Sequence, residues 1–283
     1  MTLKLISATA LLTLKAQTAF AAGHATMTGY GLAGDGAAIV VFNDMSAPSG
    51  AEKVALTGST VDAIAYRPLT GDMIGFSKAG KVFTINPEKG ALTDTEAKFD
   101  DAVTMADDAV VALDFNNKID AVRAVSSDGA NVVYFPVEFG DKRANSVLRF
   151  TDLAYAEDEA NAGATPAIFA NAYTNAVNGA KQDETFQYAL DADLDVLVSL
   201  ANNDGTLATI APLTLDGSAS DITASGGFEI ISGEAGDNTA IALLSVEGSE
   251  TAGLYQIDLE TGAATLMGDT EMRGFSGFAA KMN

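Results

Sequence analysis

The densest group of chemistry-bearing side chains lies near the middle of the chain, in DFNNKIDAVRAVSSDGANVV, which starts at Asp114. Asp114 and Asn116 end an alternating apolar run, Asp120 falls in the turn that follows, and Arg123 lies on the next strand. Arg67, after Ala-Ile-Ala-Tyr, holds the comparable place one repeat earlier. Carboxylate, amide and guanidinium groups gathered at one end of a strand pair can hold a polar ligand through charge-assisted hydrogen bonds. The same residue types also serve structure. Asp and Asn satisfy turn backbone groups, and an Arg pairs with a nearby Asp to staple two strands. On that second reading Asp120 and Arg123 form the pair.

A second candidate is the alternating trio Asp191, Asp193 and Asp195. If the three crowd one face of a hairpin, a Ca²⁺ ion would relieve their repulsion, although the D-x-D-x-D-G loop with its closing Glu is absent. The alternative is an exposed acidic turn. Asp100, Asp101, Asp107 and Asp108 read as a solvated connection. Other chemistry is excluded by what is missing. The chain has no cysteine, which removes disulfides, thiolate metal sites and thiol nucleophiles. His24 is the only histidine and sits beside the expected mature start, so a Ser-His-Asp triad or a histidine-ligated zinc site is not expected. There is no phosphate loop and no GxGxxG on a strand-to-helix turn.

Any such side chains need a scaffold, and the scaffold is repetitive. LYQIDLETGAATLMG near the end repeats the plan of VFTINPEKGALTD near the start: an alternating strand, a Gly turn and a second strand. Upstream of each stand two further strands, AIAYRPLTGDMIGFSKAG in one case and GFEIISGEAGDNTAIALLSVEG in the other. Two more copies lie between them, VALDFNNKIDAVRAVSSDGANVVYFP with SVLRF, and IFANAYTN with TFQYALDADLDVLVSLANNDGTLATIAPL. The closing GFSGFAAKMN supplies a first strand, and GYGLAG, DGAAIVVFN and AEKVAL supply the second, third and fourth. The sequence therefore predicts an all-β propeller of five four-stranded blades, clasped by pairing of the two termini. Six blades, with one hidden in residues 137–167, and a β-sandwich are the alternatives. AYAEDEANAGA has weak helical periodicity, but Gly163 and the nearby Pro166 mark it as loop.

Residues 1–21 read as a secretory signal peptide: MTLK, the apolar LISATALLTL, then Ala19-Phe20-Ala21. The run is too short to span a bilayer, and a membrane-anchored N-terminus is the alternative reading. Residues 22–283 form a single domain. Removing the leader takes Lys4 and Lys15 and no acid, so the net charge moves from −22 to −24. Nucleic acid and anionic lipid bind through cationic side chains, so such a surface repels both.

The runs DLAYAEDEANAGATPAIFANAYTN, DFNNKIDAVRAVSSDGANVV and LYQIDLETGAATLMG resemble a bacterial family of unknown function whose members are exported, repeat-containing proteins expected to form β-propellers. The resemblance covers nearly the whole mature chain. In the family pattern the third copy reads Asp-Phe-Asn-Pro and then Asp-Arg-Ile-Arg. Here Asp114, Asn116, Asp120 and Arg123 match, Asn117 replaces the Pro and Ala121 replaces the first Arg. Ala65 stands where the second copy of the pattern has an Asp. The resemblance implies fold and export and brings no activity. The resulting reading is a periplasmic or extracellular, non-catalytic binding or scaffold protein without a membrane span, its ligand or partner protein unnamed. A Ca²⁺-dependent hydrolase or lactonase with an acidic axial funnel, and a cell-surface structural protein, are the rival readings.

Overall fold

Each repeat is apolar on both faces of its sheet, so each sheet needs cover on two sides. The chain meets that need with five separate antiparallel blades arranged in a closed ring. The computed structural model describes residues 27–283, and the leader segment 1–21 lies outside the described residues. Innermost strand first, blade 1 consists of Phe275–Met282, Met27–Ala33, Ala38–Phe42 and Glu52–Ala55. Blade 2 is Ala63–Tyr66, Met73–Ser77, Lys81–Asn86 and Ala91–Asp94. Blade 3 is Val111–Asn116, Ala121–Ser126, Asn131–Phe135 and Ser146–Arg149. Blade 4 is Ile168–Tyr173, Gln187–Asp191, Val196–Ala201 and Thr206–Pro212. Blade 5 is Ile222–Ser232, Asn238–Val246, Ala252–Ile257 and Ala263–Asp269.

The core is divided among the interfaces between successive blades. Phe76 and Phe115 pack between blades 2 and 3, Val125 and Val198 between 3 and 4, and Leu190 and Ile230 between 4 and 5. Val40 and Ile241 pack between blades 5 and 1, and Leu32 and Ile64 between 1 and 2, which completes the ring. Closure runs through the termini as the repeat pattern expects, with Met27–Ala33 antiparallel to Phe275–Met282 and Tyr30 opposite Ala279. Residues 137–167 add no sixth blade, and five sheets instead of two exclude the sandwich.

One feature was not expected from the repeats. Lys98–Phe99 runs parallel to the outermost strand of blade 3, Ala154–Tyr155 to that of blade 4, and Thr214–Leu215 to that of blade 5. Each connection entering a blade thus covers the raw backbone edge on its rim, which would otherwise invite pairing with another chain.

The ring is narrow at its axis. A Cβ on Gly227 would lie 2.3 Å from the Phe278 backbone nitrogen, so only glycine lets blade 5 approach blade 1 there.

Candidate functional site

The predicted cluster does converge, at the carboxyl ends of the inner strands of blades 2 and 3. Arg67, immediately after the inner strand of blade 2, donates from Nε to Asp120 Oδ1 at 2.8 Å and from Nη2 to Asp120 Oδ2 at 2.6 Å. It also reaches Glu138 at 3.1 Å. Asp120 has φ 57°, a left-handed turn position that Asp tolerates better than most residues. That turn aims its carboxylate at blade 2. The expected partner is therefore corrected: Asp120 pairs with Arg67 of the neighbouring blade, not with Arg123. The Asp120 hydrogen bond is the main cause that holds the Arg67 guanidinium above its ordinary pKa.

Arg123 lies opposite Asp114 in the strand ladder, and its guanidinium goes to blade 4. Nε donates to the Tyr173 hydroxyl at 2.9 Å and Nη2 to Asn203 Oδ1 at 2.8 Å, while Nη1 donates to Asn131 Oδ1. Asp114 Oδ2 accepts the Tyr173 backbone N–H at 2.6 Å, again across to blade 4. Asn116 Oδ1 accepts the Lys118 N–H of its own turn at 3.1 Å, and its amide donates to Asn202 at 3.3 Å. All five residues are at most 9% exposed. Their polar atoms are consumed in bonds that tie blades 2, 3 and 4 together.

The same end of the ring is covered. Residues 174–186, the long hairpin loop of blade 4, touch all four other blades. Gly179 N donates to Pro68 O at 2.9 Å on blade 2, and Gln182 N to Asn117 O at 3.0 Å on blade 3. Asn178 donates to Met282 O at 3.0 Å on blade 1, and Asn175 N to Asn238 Oδ1 at 2.8 Å on blade 5. Within the ring the axial cavity is about 10 Å³, lined by all five inner strands. That is room for about one water molecule. No open funnel reaches the cluster from this end.

Asp191, Asp193 and Asp195 do not converge either. Asp191 is buried and accepts from the Tyr155 hydroxyl at 2.7 Å and from the backbone N–H groups of Ala167 and Asp193. Asp195 turns to blade 5 and accepts Ile222 N at 2.8 Å, and Asp193 is exposed. Among the described residues no three His, Cys, Asp or Glu side chains are placed to hold a metal ion. The alternation puts Asp191 on the strand and the other two in the turn, so the three do not share a face.

A larger recess, missed from the sequence, lies between blades 1 and 2. It has two lobes of about 420 and 500 Å³ that share Tyr30, Asn86, Pro87 and Lys281. Tyr66, Asp72, Thr84 and Thr93 wall one lobe, and Thr28, Asn43, Glu52 and Glu88 the other. These volumes fall within the range of about 300–1,000 Å³ usual for small-molecule sites. Among the described residues neither the Lys281 ammonium nor the Tyr30 hydroxyl has a hydrogen-bond or ion-pair partner in the protein. Burial first, then the neighbouring Tyr66 and Glu88, push the Tyr30 phenol up, so it stays neutral and able to donate. Burial and then Asp72 do the same for Tyr66. Arg67 stands behind this wall, its Nη1 3.9 Å from Asp72. The only hints in the sequence are single ones, such as the Lys in GFAAKMN, because the lining comes from both terminal strands and all four strands of blade 2.

No curated protein matches this sequence. Among solved structures, an auxiliary nutrient binding protein from Bacteroides thetaiotaomicron is similar with a TM-score of 0.44 and 13% identity, over 75% of this chain and 55% of that one. A second auxiliary nutrient binding protein, from Bacteroides ovatus, gives a TM-score of 0.44 and 12% identity over 75% and 55%. This chain thus spans about half the length of both. A protein of unknown function from Bacteroides caccae gives a TM-score of 0.43 and 8% identity over 90% of this chain and 98% of its own. Residues 38–279 match the family described as domain of unknown function DUF4394, and with most of its length inside that match the chain belongs to this family.

Proposed function

We propose that this protein is an exported, non-catalytic β-propeller that binds a small polar ligand in the recess between blades 1 and 2. In this reading Arg67, Asp114, Asn116, Asp120 and Arg123 fix the blades behind the recess and do not touch the ligand. One observation carries it. The cluster's polar atoms are buried and bonded, whereas the Lys281 ammonium and Tyr30 hydroxyl line a recess of ligand size with no partner among the described residues. A catalytic funnel would need its acids open to substrate, and Asp114 is 3% exposed beneath the loop 174–186. Export rests on the sequence of residues 1–21, and the acidic charge of −22 disfavours nucleic acid as a partner.

A thermal-shift screen of sugars, amino acids and small carboxylates tests the proposal, because a ligand that binds only the folded state raises the melting temperature. A compound that stabilises the wild type should lose its effect in the Tyr30→Phe, Lys281→Ala double variant. Retention of the full shift in that variant contradicts the assignment.

A further inference from the structure

The recess between blades 1 and 2 holds charges of both signs that do not meet. In its larger lobe, of about 500 Å³, Lys281 shares the walls with Glu52 and Glu88. Among the described residues none of the three forms an ion pair.

The strand ladder sets their order. Lys281, on the innermost strand of blade 1, lies opposite Thr28 of the next strand. Tyr30 of that strand lies opposite Val41 on the third, and Val41 opposite Glu52 on the outermost. The lobe therefore crosses all four strands on one face of the blade, with the cation at its axial end and Glu52 at its rim. The turn of blade 2 that carries Glu88 abuts the same outer end, where Thr57 N donates to Gly90 O at 2.9 Å. Three strand spacings of about 4.8 Å set the strand of Lys281 about 14 Å from that of Glu52. Thr28 and Tyr30 are buried, Lys281 is half-buried, and Glu52 and Glu88 are exposed, so the groove is deepest at its positive end.

The outer end is open. Blades 3, 4 and 5 carry a parallel rim strand, and blade 2 a parallel bridge from Thr57 to Ala91. Among the described residues no strand covers the outer edge of Glu52–Ala55. Between the charged ends the lining mixes Val41, Val54 and Pro87 with Thr28, Asn43 and Asn86. Hydroxyl and amide groups beside small apolar surfaces suit peptide amides bearing small side chains better than a polyhydroxylated sugar.

We propose that the ligand of this recess is a short peptide with free ends, about three residues long, its carboxylate at Lys281 and its ammonium at Glu52 and Glu88. The proposal rests on the reading of the recess as the binding site. An extended chain advances about 3.3–3.6 Å per residue, so three residues cover about 10 Å, and the Lys and Glu side chains reach across the remainder. Each end of the peptide then meets a charge that the protein leaves unpaired, and charge-assisted hydrogen bonds are the strong ones. A single amino acid holds its two charges too close together to reach both ends of the groove, and a neutral sugar answers neither.

Isothermal titration calorimetry of the purified protein tests this with Ala-Ala-Ala, its N-acetyl form, its C-terminal amide, free alanine and maltotriose. Tri-alanine should bind at a single site. Blocking either end should weaken binding by about tenfold or more, the share of one hydrogen bond to a charged group. Free alanine should be weaker by at least as much. Lys281→Met should weaken tri-alanine by a similar factor and leave the amide unaffected. The Glu52→Gln, Glu88→Gln double variant should do the same with respect to the N-acetyl form, because each change removes only the partner of the blocked end. The blocked peptides decide the matter on the wild type, without recourse to any variant. Equal binding of free and blocked peptides, or no binding of tri-alanine, overturns the proposal. If maltotriose binds instead and is lost in the Tyr30→Phe, Lys281→Ala double variant, the recess stands as the site and the peptide falls as its ligand. Tri-alanine binding that needs both free ends yet ignores Lys281→Met and the Glu52, Glu88 variant places the peptide elsewhere and overturns both readings.

Discussion

Asp120→Asn is the sharpest single perturbation of the inter-blade staple. It keeps the shape of the side chain and a residue type that accepts the left-handed turn at φ 57°, and removes the charge and one of the two acceptor oxygens. Arg67 is 4% exposed on its side chain and loses a bidentate partner at 2.8 and 2.6 Å. What remains is Glu138 at 3.1 Å, itself 68% exposed, and Asp72 at 3.9 Å, 49% exposed. Stranding one member of a buried pair costs about 3–5 kcal/mol. Because the two solvent-facing acids still screen the guanidinium, the lower end applies, about 3 kcal/mol. For a domain of this size each kcal/mol moves the melting temperature by about 2–4 °C, so the expected fall is about 6–12 °C. Arg67→Met strands the Asp120 carboxylate instead and should cost a similar amount. The double variant should cost clearly less than the two singles together, since the second change removes the stranded charge. Differential scanning calorimetry of the four proteins measures all of this. Melting within about 1 °C of wild type in both singles, or strict additivity in the double, refutes the staple and returns Arg67 and Asp120 to the list of ligand-binding candidates.

Deleting residues 274–283 removes the innermost strand of blade 1, its ladder with Met27–Ala33, and the buried Phe275 and Phe278. Loss of that apolar burial and exposure of a strand edge should cost several kcal/mol, and a truncated protein that melts like the intact one rules out closure through the termini. Stability should fall as the pH rises from about 4 to about 8. The Asp114 carboxyl titrates near 8 when folded and near 4 when unfolded, so over that window the native state holds the extra proton and loses its advantage as the proton leaves. Asp114→Asn should flatten the slope, which chemical denaturation across the pH range checks, while Glu229 remains a titrating neighbour, Arg123 stays charged and Tyr173, its phenol pushed up to about 12 by burial, stays neutral. Export should release a chain that begins at Ala22, and a secreted protein of intact mass with Met1 retained argues against the signal peptide.

Much of the architecture is legible in the residues because its causes are local. Strands alternate or run apolar, Gly and Asp mark tight turns, and each blade repeats that order, so four strands per blade and the shared first blade can be read directly. The parallel rim strands cannot. Lys98–Phe99 and Ala154–Tyr155 are two residues each, and their pairing depends on the route the connection takes past the rim of the blade it enters. The candidate site splits the same way. Arg67 and Asp120 stand out as charges beside apolar strands, yet their pairing joins residues 53 apart in sequence, and the nearer Arg123 looked the better partner. Glu229 in GFEIIS and Asn171 in IFANAY carry the same signal as Asp114 in VALDFN, a lone polar residue inside an apolar strand. Such residues are affordable in a core only when something answers them. The recess between blades 1 and 2 leaves almost no trace, since Thr28, Tyr30, Asn86 and Lys281 are unremarkable singly and meet only when the ring closes.

Hydrogen exchange followed by mass spectrometry, with and without a compound found in the thermal-shift screen, tests the central claim most directly. The account predicts new protection at Thr28–Tyr30, Thr84–Glu88 and Ala280–Lys281, with the already slow amides of Asp114–Arg123 unchanged. Protection that appears at Asp114–Arg123 and in the loop 174–186, with none along Thr28–Tyr30, contradicts it.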